Sequence, residues 1–323
     1  MVEMDRRSLL VGAAASTLLP LQSASALSPL AGTQAAGLYR YKVGAFECTS
    51  INDGAITIPI PDGFVRNVSK DEALVAAEAA YMPKGKVTVP FNPQLINTGS
   101  KLVLIDTGNG PSANPSVGHL LANLKVAGVD PKDVDIVLLS HLHPDHINGL
   151  RLADGSLAFP NAEIKAPNLD WAFWMSDENQ AKAQDKPLMK TYFATIRKTF
   201  SGLENKVTRY DWDKEVAPGI TSIEAAGHTP GHTAFAIASG DARILIQSDV
   251  TNIPEFFLRH PDWQVMFDND PEQAIKTRKK FYDMAAAEKA LIVGFHFPFP
   301  SIGHVEKTAS GYQLIPVAWN PVL

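Results

Sequence analysis

A chain of 323 residues with 45% hydrophobic side chains can bury a substantial core, so it reads as globular and soluble. A formal net charge of −5, with no long basic run, gives no polyanion-binding surface, so nucleic acid is not an expected partner. The single cysteine, Cys48, excludes an intrachain disulfide and is expected to act as a small buried hydrophobe.

At the N-terminus, Arg6-Arg7-Ser8-Leu9-Leu10 opens an apolar stretch that ends near the small residues Ala24-Ser25-Ala26. This has the form of a twin-arginine-like export signal over residues 1–26, with a periplasmic or secreted destination. The stretch is too short and too interrupted to span a bilayer. Residues 27–37 read as a disordered linker and 38–323 as one globular domain. Two strands are predicted between Tyr39 and Ile60, joined at Asn52-Asp53-Gly54. A hairpin is predicted across Asn97-Thr98-Gly99-Ser100, then a helix over 115–127 and a strand over 133–139. Further strands are predicted at 162–166, 220–225, 233–238 and 243–247, and helices at 168–181, 187–201 and 271–288. Asp270, Pro271 and Gln273 form a start signal for the last helix. Two series of strands separated by helices point to a layered α/β domain.

Ser140-His141-Leu142-His143-Pro144-Asp145-His146 holds three of the nine histidines and a carboxylate directly after the strand at 133–139. Extended chain alternates its side chains, so His141 and His143 point the same way, while Asp145 and His146 sit where the chain turns into a helix. Four ligand-type groups converge there without a cysteine. Structural zinc sites usually use thiolates, whereas His and Asp make a harder, open site suited to catalysis. A single zinc needs only three protein ligands plus a water, and a second supply of donors follows later in the chain. These are His228 and His232 in Gly227-His228-Thr229-Pro230-Gly231-His232, Asp249 after Ile244-Leu245-Ile246, and His296 after Leu291-Ile292-Val293-Gly294. Each follows a predicted strand, so all can meet on one rim of the sheets.

His141-Leu-His143-Pro-Asp145-His146, Thr229-Pro-Gly-His232, Ser248-Asp249 and Gly294-Phe-His296 resemble the ordered metal motifs of the metallo-β-lactamase superfamily. The run from Asn97 to Gly108 and the closing His296 to His304 resemble the branch containing methyl parathion hydrolase and its lactonase relatives. The resemblance covers nearly all of residues 38–316. It implies an αββα sandwich, two mixed sheets flanked by helices, with a binuclear site holding two divalent metal ions, zinc by expectation. By matching position, His141, His143 and His232 hold one metal, Asp145, His146 and His296 the other, and Asp249 bridges them. Asp106 and His228 are the expected supporting residues. The implied reaction is metal-dependent hydrolysis, two metals sharing and activating a water that attacks a lactone, carboxylic ester or organophosphate triester. Asp145 is expected to pass a proton to the leaving group, and Asp249 to serve the reaction from its bridging position.

The substrate is expected to be small and hydrophobic, because Trp171, Phe173, Trp174, Tyr192 and Phe193 fall where the resembling hydrolases place pocket aromatics. Trp174, Tyr192 and Phe193 are the named pocket candidates, and a homodimer is the assembly the branch suggests. Asn148 stands where a glycine is common, and the segment Thr251 to Asp270 matches methyl parathion hydrolase poorly, its expected role being to line the pocket or to make a dimer contact. Other readings are a mononuclear-iron sulfur dioxygenase or a β-lactamase of the same superfamily, and a metal-stabilised binding protein without turnover.

Overall fold

The computed structural model describes residues 30–323, so the expected export signal lies outside the described residues. One compact unit covers Ala36–Leu323. In chain order it contains β1 (Leu38–Val43), β2 (Phe46–Ile51), β3 (Gly54–Pro59), α1 (Lys70–Ala79), β4 (Lys86–Phe91), β5 (Gln94–Asn97), β6 (Leu102–Ile105), α2 (Leu120–Ala127), β7 (Ile136–Leu138) and α3 (Pro144–Ile147). There follow β8 (Glu163–Pro167), α4 (Asn168–Trp174), α5 (Asp177–Lys182), α6 (Pro187–Phe200), β9 (Val207–Tyr210), β10 (Glu215–Ala217), β11 (Ile220–Glu224), β12 (Thr233–Ser239) and β13 (Ala242–Ser248). Last come α7 (Pro254–Phe257), α8 (Pro271–Ala287), β14 (Leu291–Gly294), β15 (Ile302–Lys307) and β16 (Tyr312–Pro316). No helix among the described residues is long and apolar enough to cross a membrane.

Two seven-stranded sheets result, in the orders β1-β2-β5-β6-β7-β8-β9 and β10-β11-β12-β13-β14-β15-β16, beside a two-stranded ribbon of β3 and β4. Strands β6 to β9 run parallel, as do β13 and β14. Their continuous apolar runs, Leu102-Val-Leu-Ile and Ile136-Val-Leu, are what a strand covered on both faces requires. Ile96, Val103 and Leu138 of the first sheet meet Phe235, Ile237 and Ile246 of the second in the central core. On the outer face of the first sheet, Leu104, Val137 and Ile164 pack with Leu124 of α2, Trp174 of α4 and Phe193 and Ile196 of α6. Leu245 and Ile292 of the second sheet pack with Phe281, Tyr282 and Ala285 of α8. Each large side chain so buried contributes ~1.5–3 kcal/mol, and the layers are α, β, β, α.

Several elements depart from the expectation. The first strands pair across Gly44-Ala45, and Asn52-Asp53-Gly54 is not a hairpin turn but the crossing from β2 into the separate ribbon. Gly54 takes φ 123°, and a Cβ there would stand 2.0 Å from the Ser116 carbonyl. Buried Asp53 accepts the backbone N–H groups of Asn109 and Leu120, both at 2.8 Å, so it ties down the start of α2, which begins at Leu120 and not at 115. The helix expected over 168–181 is two helices, because Ser176 starts a new one by accepting from the Asn179 N–H at 3.2 Å. Asp270 caps α8 as expected, accepting from the Gln273 N–H at 3.0 Å.

Candidate metal centre

The donors gather where the chain leaves the C-terminal ends of β7, β11, β13 and β14, with the supporting Asp106 after β6. Asp106 directly follows β6, and Ser248 ends β13. Both hold positive φ, 59° and 48°, which costs ~1–3 kcal/mol each and turns the chain sharply into the site. Two overlapping histidine groups and a third with Asp145 have ligand atoms within 4.8 Å of one another: His141, His143 and His228; His141, His146 and Asp249; Asp145, His146 and His296. Asp249 lies among them all. Its Oδ1 is 3.3 Å from His146 Nε2, while its Oδ2 is 3.0 Å from His296 Nε2 and 3.3 Å from His228 Nε2. Asp145, on the first turn of α3, brings Oδ2 to 3.4 Å from His296 Nε2 and 3.5 Å from His146 Nε2.

These side chains fit a metal pair. The Nε2 atoms of His141, His143 and His146 and Asp249 Oδ1 are buried and have no hydrogen-bond partner, an arrangement that is costly unless a cation takes the lone pairs. Ligands ~2.0–2.1 Å from a tetrahedral zinc stand ~3.4 Å apart, close to the separations observed between the donor atoms. Burial and the neighbouring imidazoles hold His141 and His143 well below the usual histidine range, so both offer neutral nitrogens. Asp249 is held well below the usual carboxylate range: burial opposes this, but the His296 and His146 imidazoles prevail. His141, His143, His228, Asp145, His146, His296 and the shared Asp249 would hold two divalent ions, zinc by the nature of the donors.

The two histidines of the Gly227–His232 loop exchange their expected places. His232 Nδ1 donates to the Ala225 carbonyl at 2.8 Å, and its Nε2 accepts the Asp249 N–H at 3.0 Å, so both ring nitrogens are engaged with backbone. Burial pushes its pKa down to about 3, which suits a neutral acceptor. His228 takes the donor's place instead, its ring nitrogen clustered with those of His141 and His143 and its Nε2 3.3 Å from Asp249 Oδ2. His119, His260 and His304 stand apart, bonded to backbone carbonyls or stacked on Trp263.

Asp106 supports the histidine loop. Its Oδ1 accepts the Ser140 N–H at 2.8 Å, and its Oδ2 accepts the Ser140 hydroxyl at 2.7 Å and His146 Nδ1 at 2.9 Å. Three residues in comparable roles were missed. Fully buried Asp170 accepts the Leu142 N–H at 2.8 Å, the Gly231 N–H at 3.0 Å and Trp174 Nε1 at 3.2 Å, joining both histidine loops. Asp268 takes His228 Nδ1 at 2.9 Å, and Asn252 donates to Asp249 Oδ2 at 2.8 Å. Nothing near these residues in the sequence marks them, because each meets its partner only across the fold.

A cavity of about 230 Å³ opens onto Asp145, Asp249 and His296. Of the expected pocket aromatics only Tyr192 lines it, with its ring 4.8 Å from that of His143. Trp174 and Phe193 are fully buried between α4, α6 and the first sheet, where packing uses them as core. The apolar wall comes from Ile56, Ile58 and Val89 of the ribbon, with Phe64, Ile253 and Phe267. From the segment 251–270, Asn252, Ile253 and Phe267 line the cavity. Asn148 also lines it and has helical φ of −62°, so its backbone has no need of the glycine common at this position.

The family profile described as the metallo-beta-lactamase superfamily matches residues 92–296. The chain is 25% identical over 242 residues to N-acyl homoserine lactonase AiiA of Bacillus thuringiensis subsp. kurstaki, covering 68% of this chain and 86% of that protein. Its fold superposes with TM-score 0.82 on AidC, a dizinc quorum-quenching lactonase solved with a product, at 29% identity over 88% of this chain and 99% of that one. It superposes equally, with TM-score 0.82 and 29% identity, on the hydrolase AbOPH of the beta lactamase superfamily, covering 89% of this chain and 100% of that one. The donor set, the layered fold and the profile agree: the chain belongs to the metallo-beta-lactamase superfamily, among its metal-dependent hydrolases.

Proposed function

We propose that this protein hydrolyses lactones that carry an apolar acyl chain, acyl homoserine lactones foremost. The observation that carries the reading is the position of Asp249. Its Oδ1 faces His146 and its Oδ2 faces both His296 and His228, so one carboxylate touches both ends of the donor cluster, in a cavity lined largely by aliphatic and aromatic side chains. Similarity to AidC and AiiA supports the lactone. Two ions bound there would polarise the ester carbonyl and lower the pKa of a water between them.

The chain's own residues supply the rest. Ile56, Ile58, Val89 and Phe267 exclude water from the acyl chain and hold the ring over the donors. Burial pushes the Tyr192 phenol up, so it keeps its proton at neutral pH and offers an O–H donor at the cavity wall. Asp145 is partly exposed, with 26% of its side chain accessible, and can pass a proton between the alkoxide leaving group and solvent. The dioxygenase reading calls for a single iron, and donors arranged around a shared Asp249 do not favour it.

The test compares kcat/KM of the zinc-loaded protein for an acyl homoserine lactone and an aryl dimethyl phosphotriester. A much higher value for the lactone is expected. A preference for the phosphotriester would favour the organophosphate reading instead, and background rates with both would overturn the substrate class.

A further inference from the structure

His146 and His228, at the two ends of the metal centre, lean on different carboxylates. His146 Nδ1 bonds to Asp106, which is held by Ser140 on the first sheet's rim. His228 Nδ1 donates instead to Asp268 at 2.9 Å, in the segment leading into α8. That carboxylate fixes the ring's tautomer, leaving the Nε2 lone pair facing His143 and Asp249. Asp268 is itself only 2% exposed, and a buried carboxylate needs a counter-charge. Arg278 of α8, 1% exposed, provides one at 3.7 Å.

Arg278 does more than balance charge. Its Nε donates to the carbonyl of Val250, next to Asp249, at 3.1 Å, and its Nη1 donates to Pro261 and Trp263 at 3.0 and 2.8 Å. The same guanidinium lies over the Phe257 ring, 5.3 Å from its centroid. Backbone contacts fasten α8 to the His228 loop as well. Asp270 N–H donates to Gly227 at 2.9 Å, Asn269 N–H to His228 at 3.0 Å, and the Thr277 hydroxyl to Ala226 at 2.6 Å. Gly227 makes this approach possible, since a Cβ there would stand 2.3 Å from Ala274 N.

We propose that Asp268 and Arg278 are positioning residues for the His141, His143 and His228 end of the centre, so the two metals are held with separately adjustable affinities. The affinity at the Asp268 end depends on residues 251–270 and α8. Asp106 braces His146 directly and, through the Ser140 hydroxyl 3.1 Å from His141 Nδ1, reaches the other end as well, so it is not selective in this way. The inference concerns metal binding only and holds whether or not the substrate is a lactone.

The experiment titrates zinc into chelator-stripped protein in competition with a chromophoric chelator. Asp268→Asn, nearly isosteric, is expected to weaken one of the two affinities ~10–100-fold and to leave the other within ~3-fold, with unchanged circular dichroism. Arg278→Lys should act in the same direction, whereas Asp106→Asn, which reaches both ends, should weaken both affinities. In a His228→Ala background Asp268→Asn should add nothing, because the ring through which it acts is gone. Equal loss of both affinities from Asp268→Asn, no loss, or a full additional loss in the His228→Ala background would each overturn the proposal. If Arg278→Lys fails to fold, the Asp268 and His228 pair decides the matter alone.

Discussion

His228 and His232 lie four residues apart in one loop, and burial alone does not separate them, since both are at most 3% exposed. Their hydrogen bonds do. His228→Ala is expected to lower bound zinc towards one ion per chain and kcat/KM at least ~100-fold, as elemental analysis and kinetics will show. His232→Asn should retain most of the zinc and chiefly lower the melting temperature, because it disturbs backbone hydrogen bonds to Ala225 and Asp249. Cys48 is fully buried in the core between the sheets, and burial pushes its thiol up to about 12. An unfolded cysteine ionises near ~8.5, so the folded chain keeps a proton that the unfolded chain releases. That contribution is complete below ~8.5 and is lost as pH rises through this value towards the folded one. Thiol reagents at pH 8 should accordingly leave the native protein unlabelled and modify one thiol after denaturation.

At the level of elements, the aromatic residues after the histidine cluster divide by face. Helix α6 presents Phe193 to the core and Tyr192 to the cavity, although the two are neighbours in the chain. Trp174→Ala should therefore destabilise the fold by ~3–5 kcal/mol, measured by denaturant unfolding, rather than selectively raise KM. The pocket wall belongs to the β3–β4 ribbon. Ile58→Ala removes three carbons from that wall, and at ~0.8 kcal/mol per buried CH₂ a partial contact is worth ~1–2 kcal/mol. KM for a long-chain lactone should rise roughly fivefold to thirtyfold, with zinc content and kcat nearly unchanged. Equal effects on short- and long-chain substrates would show that the ribbon does not hold the acyl chain. Helix α1 went unread, although Ser69 caps it by accepting from Glu72 N–H at 3.2 Å, a start signal present in the sequence. Its weak apolar stripe, with only Ala73 and Ala77 buried, left that signal unsupported.

For the whole molecule, the metal ions join loops from both sheets, so their removal should be felt globally. Chelation is expected to lower the melting temperature by on the order of 5–10 °C, since ligand at a hundredfold excess over its dissociation constant adds ~2.7 kcal/mol per site. Readdition of zinc should restore it, and a melting temperature that ignores chelator would mean that the centre adds nothing to stability.

The donor cluster was legible because its chemistry is local. His141, His143, Asp145 and His146 occupy six consecutive positions after an apolar strand, and the period of the chain alone brings them together. Asp249 and His296 were legible because apolar strands end just before them, and the layered α/β class followed from the alternation of strands and helices. The tertiary structure decided the rest: which histidine of the Gly227–His232 loop faces the metals, which aromatics are core, and which acids brace the centre. These depend on contacts such as Asp170 with Gly231, Asp268 with His228 and β3 with β4. Side-chain type and spacing carry no record of such partners, because long-range pairing is set by how the layers pack and not by any local period.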